Sequence, residues 1–214
     1  MRRLLPVPIA IALLAVPAAA GASCASKIGK SGHVVAQSRK AVVYSRVDPP
    51  RDDPSFYGCE FRTGKLRLIG REEEQRFDHW KLAGHYVGVV HWPEEAAPQE
   101  LVQSLWVYDL QTGRFRLRRR AVKPTTPVEG DRIESIRSYV LKPHASVAWI
   151  AEFRPDPHEV PTSFQVNEVE ASRGDRFTKL DEGDAIEPRS LALSDDHKRI
   201  YWIDGETVRA ARLR

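Results

Sequence analysis

From residue 33 onward, apolar and polar positions alternate in short runs bounded by Gly, Pro and Asp, and no long stretch keeps the 3.6-residue period of a helix. This pattern predicts an all-β chain of half-buried strands. The runs also recur. Residues 56–68 and 105–117 are two versions of one hairpin, matched at Thr63-Gly64 and Thr112-Gly113, and a second hairpin type appears at 34–45, 81–92, 140–153 and 191–204. Successive copies start roughly 50 residues apart, the length of one four-stranded unit used several times.

Radial repetition protects the edges of open sheets, so the expected architecture is a β-propeller-like array of about four antiparallel blades over residues 33–214. The last blade is expected to lack its outer strand. It could be completed by the segment before residue 33 or by a second chain, or the array could be an open arc. Aligning the second strand of each unit on Val42, Val87, Val147 and Ile200 brings Tyr44, Val89, Trp149 and Trp202 to equivalent positions, where large side chains pack between successive sheets. Ser194-Asp195-Asp196-His197 resembles the Ser-Pro-Asp-Gly turn of TolB-like and tryptophan-aspartate-repeat propellers, and Val107-Tyr108-Asp109-Leu110 with its Thr112-Gly113 turn resembles their outer hairpin. The whole chain from 33 to 214 also resembles exported propeller-like bacterial proteins. The resemblance implies a scaffold and carries no catalytic motif.

Arg2 and Arg3 precede an uncharged run from Leu4 to Ser26, with small-x-small sites ending at Ala20 and Ala22. Residues 1–22 therefore read as a signal peptide cleaved after Ala20 or Ala22. Pro6, Pro8 and Pro17 disfavour a retained membrane anchor, and Gly21 occupies the lipobox position that wants Leu or Val ahead of Cys24. The expected location is secreted or extracytoplasmic, with no transmembrane span in the mature form. In an oxidising compartment the two cysteines, Cys24 and Cys59, are expected to form a disulfide that ties residues 23–32 to the first outer hairpin, a closure worth roughly 3 to 4 kcal/mol.

Composition adds exclusions. With 42% hydrophobic and 29% charged residues among 214, the chain is an ordinary globular protein, and a net charge of +4 is too small for a dedicated nucleic-acid binder. No nucleophile elbow, zinc-peptidase motif, phosphate loop or CxxC is present, so no cofactor and no metal is expected. His85 and His91 are too far apart on one strand to share an ion, and Asp78 and His79 point to opposite faces of a regular strand. Ser194, Asp196 and His197 hold the letters of a triad within what reads as a turn. The run Arg114, Arg116, Arg118, Arg119 and Arg120 reads as the solvated guard of an outer strand, with contact to an anionic polymer as the alternative.

Blade topology sends the longer loops to one face, and these loops are strongly net acidic while the turns of the opposite face are net basic. The candidate binding residues are Asp52, Asp53, Glu94, Glu95, Asp156, Glu159, Asp184 and Glu187, in loops stiffened by Pro49, Pro50, Pro54, Pro93, Pro98, Pro155, Pro157 and Pro161. Such a face steers a cationic protein, a cationic peptide or a divalent cation. Two function classes follow: a non-enzymatic binding or interaction module, and a small exported propeller enzyme, a hydrolase or lyase, using carboxylates in its channel. The first is preferred because no nucleophile is paired with a base.

Overall fold

The computed structural model describes residues 18–50, 52–72, 75–93, 100–122, 132–154, 163–170 and 176–213. The chain is all-β apart from one helix, α1 (Ala18–Ile28). The first sheet contains β1 (His33–Gln37), β2 (Ala41–Val47), β3 (Pro54–Glu60) and β4 (Leu66–Arg71) in sequence order. The second contains β5 (Gln75–Ala83), β6 (Tyr86–Pro93), β8 (Ser104–Asp109) and β9 (Arg114–Arg120). In the third, β10 (Arg132–Leu141), β11 (Val147–Arg154), β12 (Ser163–Glu170) and β13 (Arg176–Gly183) are joined by β7 (Glu100–Val102), which runs parallel to β10. Three strands, β14 (Ala192–Leu193), β15 (Arg199–Asp204) and β16 (Thr207–Arg212), make the fourth. The propeller-like succession of four blades, the last without an outer strand among the described residues, is as the repeat pattern predicts.

One expected strand is divided. The alternation continues from Val102 through Leu110, yet the chain changes sheets at Gln103. This buried residue donates its backbone N–H to the Glu134 carbonyl, accepts from the Ala121 N–H, and takes the Ile136 N–H on its side-chain oxygen. The parallel pairing of β7 with Arg132–Glu134 gives the third sheet its fifth strand, and the Gln103 side chain extends that contact to Ile136.

The turns explain why the hairpins repeat. Gly64 and Gly113 both adopt positive φ and donate to the carbonyl four residues back, Glu60 and Asp109 respectively. Ser194 closes the last inner turn: its hydroxyl donates to Asp196 and accepts the Arg199 N–H, so the triad letters form a turn. The strands carry a second repeat that periodicity does not reveal. In each of the first three blades the innermost strand is bulged, at Val35, His79–Trp80 and Arg137, and the outermost is bulged at Ile69, Arg116 and Leu180.

Both faces of each of the first three blades are apolar. Val87, Val147 and Ile200 each face the preceding sheet, as do the equivalent Val89, Trp149 and Trp202. Where blades approach closely only glycine fits: a Cβ on Gly58 would lie 2.2 Å from Leu110 Cδ2, and one on Gly88 would lie 2.9 Å from Tyr139 Cε2. In the first blade the equivalent residues, Val42 and Tyr44, face α1 instead, which packs Cys24 and Ile28 against them and against Cys59 and Phe61. The helix therefore stands where a preceding blade would stand. The segment before residue 33, from Ala18 on, covers blade one and does not complete blade four.

The Cys24–Cys59 disulfide pins this helix to β3, as expected from the cysteine pair. Gly29, at φ 79°, ends the helix, and Arg46 donates to the Ile28 carbonyl at 3.0 Å. The proposed cleavage points after Ala20 and Ala22 fall inside α1, while Cys24 and Ile28 lie beyond both. No helix among the described residues is long and apolar enough to cross a membrane.

Two outcomes are expected. Replacing Cys24 and Cys59 by Ser should lower stability by about 2 to 4 kcal/mol in denaturant unfolding, an effect that reductant reproduces in the native chain. His91 gives the second. Its ring is buried and stacked on Trp106 with centroids 3.9 Å apart, and its Nε2 has no hydrogen-bond partner. Burial first, and the charge of Arg118 second, lower its pKa from 6.5 to about 4. Between those values the unfolded chain binds the proton and the folded one does not, so stability falls as pH drops through this window, by at most about 3 kcal/mol. Urea unfolding of His91→Phe should lose that slope.

Candidate binding surface

The antiparallel order of each sheet places the β2–β3, β15–β16 and β13–β14 connections at one end of the blades. Four of the anticipated residues, Asp52, Asp53, Asp184 and Glu187, are described there, and all four are exposed. Glu94, Glu95, Asp156 and Glu159 lie outside the described residues. The four described carboxylates have no ion-pair or side-chain hydrogen-bond partner among the described residues.

Carboxylates within the sheets behave differently. Asp109, almost fully buried, meets His85 at 3.7 Å and Arg116 at 3.3 Å, and accepts the N–H groups of Gln111 and Thr112. Burial pushes its pKa up, but these hydrogen bonds outweigh burial and leave it below its ordinary value. Asp78 pairs with Arg76, Glu134 with Arg120, Glu182 with Lys179, and Asp204 with Arg209. Asp48 is the exception on the loop face: it is held by Arg46 and by the Tyr57 hydroxyl, which donates to it.

Three of the five arginines of β9 are likewise committed to neighbours. Arg116 reaches Asp109, Arg120 reaches Glu134 at 3.0 Å, and the Arg118 guanidinium lies over the rings of Trp106 and Phe115 at 4.4 and 3.9 Å. This supports the edge-guard reading of the basic run.

Sequence reasoning did not anticipate a hollow of about 510 Å³ between the innermost strands and the connection to the fourth blade. His79, Arg137, Glu152 and Arg189 line it with Ile136, Phe164 and Pro188. Its polar residues come from local departures from regularity. His79 and Arg137 occupy the bulges of β5 and β10, and His79 has a φ of 54°. The bulge is fixed by buried Tyr139, whose hydroxyl donates to the His79 carbonyl and lies 2.8 Å from that of Gly88. Asp78 and His79 thus belong to no regular alternation, and Asp78 is engaged by Arg76.

Arg189 sits in a hydrogen-bonded turn. The Ser190 N–H and hydroxyl both donate to the Glu187 carbonyl, Ser190 Oγ accepts the Ile203 N–H, and the Ser138 hydroxyl donates to the Pro188 carbonyl at 2.8 Å. Beneath lies Glu152, only 2% exposed, bound to Arg137, to Arg154 at 2.5 Å and to the Ser135 hydroxyl at 3.2 Å. Burial raises its pKa, yet the two guanidiniums together hold it below the ordinary glutamate value. A carboxylate held ionised in this way is a poor proton donor. Among the described residues no three His, Cys, Asp or Glu side chains converge as a metal-ligand set.

Several solved structures are similar to this chain. The β-propeller domain of the Trilobed protease from Pyrococcus furiosus, described as having an open velcro topology, has a TM-score of 0.47 at 12% identity, with 80% of this chain and 53% of that one covered. A chain of the nidogen/laminin complex gives 0.43 at 13%, with 81% and 56% covered. TolB from Acinetobacter baumannii gives 0.39 at 14%, with 82% and 39% covered. The chain spans about half the length of the first two. No protein-family model and no curated protein matches it.

Proposed function

We propose that the protein is an extracytoplasmic, non-enzymatic binding module that meets a cationic protein or peptide with its acidic, proline-rich loop face. The observation that carries this reading is the division among carboxylates. Asp78, Asp109, Glu134, Glu152, Glu182 and Asp204 in the sheets are paired with cationic neighbours, whereas Asp52, Asp53, Asp184 and Glu187 in the loops are exposed and without an ion-pair partner among the described residues. Charges left uncompensated on one face steer and orient a partner of opposite sign. The disulfide supports an oxidising compartment. A propeller-like stack of blades supplies a rigid frame for such loops. The reading as a hydrolase or lyase requires a channel carboxylate able to give or take a proton, and Glu152 is committed to Arg137 and Arg154.

The test begins with a partner retained by the immobilised mature chain from an envelope fraction, identified, and purified for calorimetric titration. Combining Asp52→Asn, Asp53→Asn, Asp184→Asn and Glu187→Gln should weaken its binding about tenfold or more and flatten the dependence on ionic strength. Folding should change by no more than about 0.5 kcal/mol per site. Unchanged affinity in the fourfold variant would refute the acidic-face reading.

A further inference from the structure

We propose that the hollow beside β10 is a binding site for a carboxylate group carried on an apolar body. Arg189 receives the carboxylate beside Arg137, which Glu152 holds, and Phe164, Ile136 and Pro188 contact the body. The site is independent of the acidic loop face and uses different residues.

Arg137, Glu152 and Arg189 line the hollow together, so its lining carries two guanidiniums against one carboxylate and positive charge is in excess. Arg154 and Arg137 are both engaged by Glu152, but Arg189 has no acidic partner among the described residues. Its backbone is nevertheless fixed by Pro188, by the Ser190 hydrogen bonds and by Ser138. An arginine whose backbone is tied down beside a cavity, with its charge uncompensated, is set up to hold an anion with little entropy lost. Across the hollow, His79 is kept at positive φ by a hydrogen bond from Tyr139, a strained conformation held by a buried neighbour.

The charge balance selects the ligand. One free guanidinium matches a planar monoanion in a bidentate pair, while the nearby Glu152 opposes a dianion such as a phosphate. Phe164, Ile136 and Pro188 supply the apolar part of the lining beside His79, and a volume of about 510 Å³ suits a small molecule or the end of a peptide. A free organic acid and a peptide C-terminus offer this same chemistry.

Calorimetric and NMR titrations of the mature chain can separate these cases. The probes are 4-phenylbutyrate and its amide, and an acetylated Ala-Ala-Leu peptide with a free or an amidated C-terminus. Both acids should bind at millimolar concentrations or below and both amides about ten- to hundredfold more weakly, the difference a charge-assisted hydrogen bond makes. Tighter binding of the peptide acid assigns the site to chain ends, and tighter binding of phenylbutyrate assigns it to free acids. Arg189→Ala should reproduce the loss seen with the amides, with the thermal midpoint unchanged because Arg189 is exposed. Arg114→Ala, an exposed arginine on β9, should bind as the native chain does. Acids and amides that bind alike, acids that do not bind, or an Arg189→Ala variant that binds them as tightly as the native chain would each overturn the proposal. A threefold variant of the loop face, Asp52→Asn with Asp53→Asn and Asp184→Asn, leaves Glu187 in the Arg189 turn unchanged and should retain binding in the hollow, so the two readings fail separately.

Discussion

The first three sheets of this protein are apolar on both faces, and the rest of the structure depends on covering them. A blade gains stability only between two neighbours, since apolar surface left in water forfeits about 25 cal/mol per Å². Within the array the neighbours are other blades, keyed together at equivalent positions by Val89, Trp149 and Trp202. At the first blade the neighbour is α1, which packs Cys24 and Ile28 against Val42 and Tyr44. The disulfide to Cys59 ties the helix covalently to the sheet it covers.

Polar groups caught between blades are managed by cross-links from one blade to the next. Trp149 Nε1 and Asn167 Nδ2 both donate to the Ala121 carbonyl, and Lys81 Nζ, itself partly buried, donates to the Tyr139 carbonyl. Gln103 does the same work at the point where the chain passes between sheets two and three. Each bond satisfies a group whose burial would otherwise cost about 1 to 3 kcal/mol, and each also fixes the offset between blades.

The same logic separates two kinds of charge. In the sheets a carboxylate is tolerated where a guanidinium or N–H groups meet it, as at Asp109 and Glu152. In the loops water does this, as at exposed Asp52, Asp53, Asp184 and Glu187. The hollow combines both situations, because Glu152 is over-neutralised below while Arg189 remains uncompensated at the rim.

The sequence by itself determined the strands, the turns and the disulfide. Alternation with period two is a local property, Thr-Gly turns require positive φ at one residue, and two cysteines admit one pairing. It also placed Asp52, Asp53, Asp184 and Glu187 on one face, because antiparallel order fixes which loops share an end. Only the tertiary structure decided that α1 takes the place of a blade, that the strand expected from Val102 to Leu110 divides at Gln103, and that His79, Arg137 and Arg189 line one hollow. The reason is physical. A bulge adds one residue and reverses the side-chain alternation locally, and whether it forms depends on groups far away in sequence, such as the Tyr139 hydroxyl on the His79 carbonyl, 60 residues apart. Periodicity reads neighbours along the chain; the hollow is made by neighbours across it.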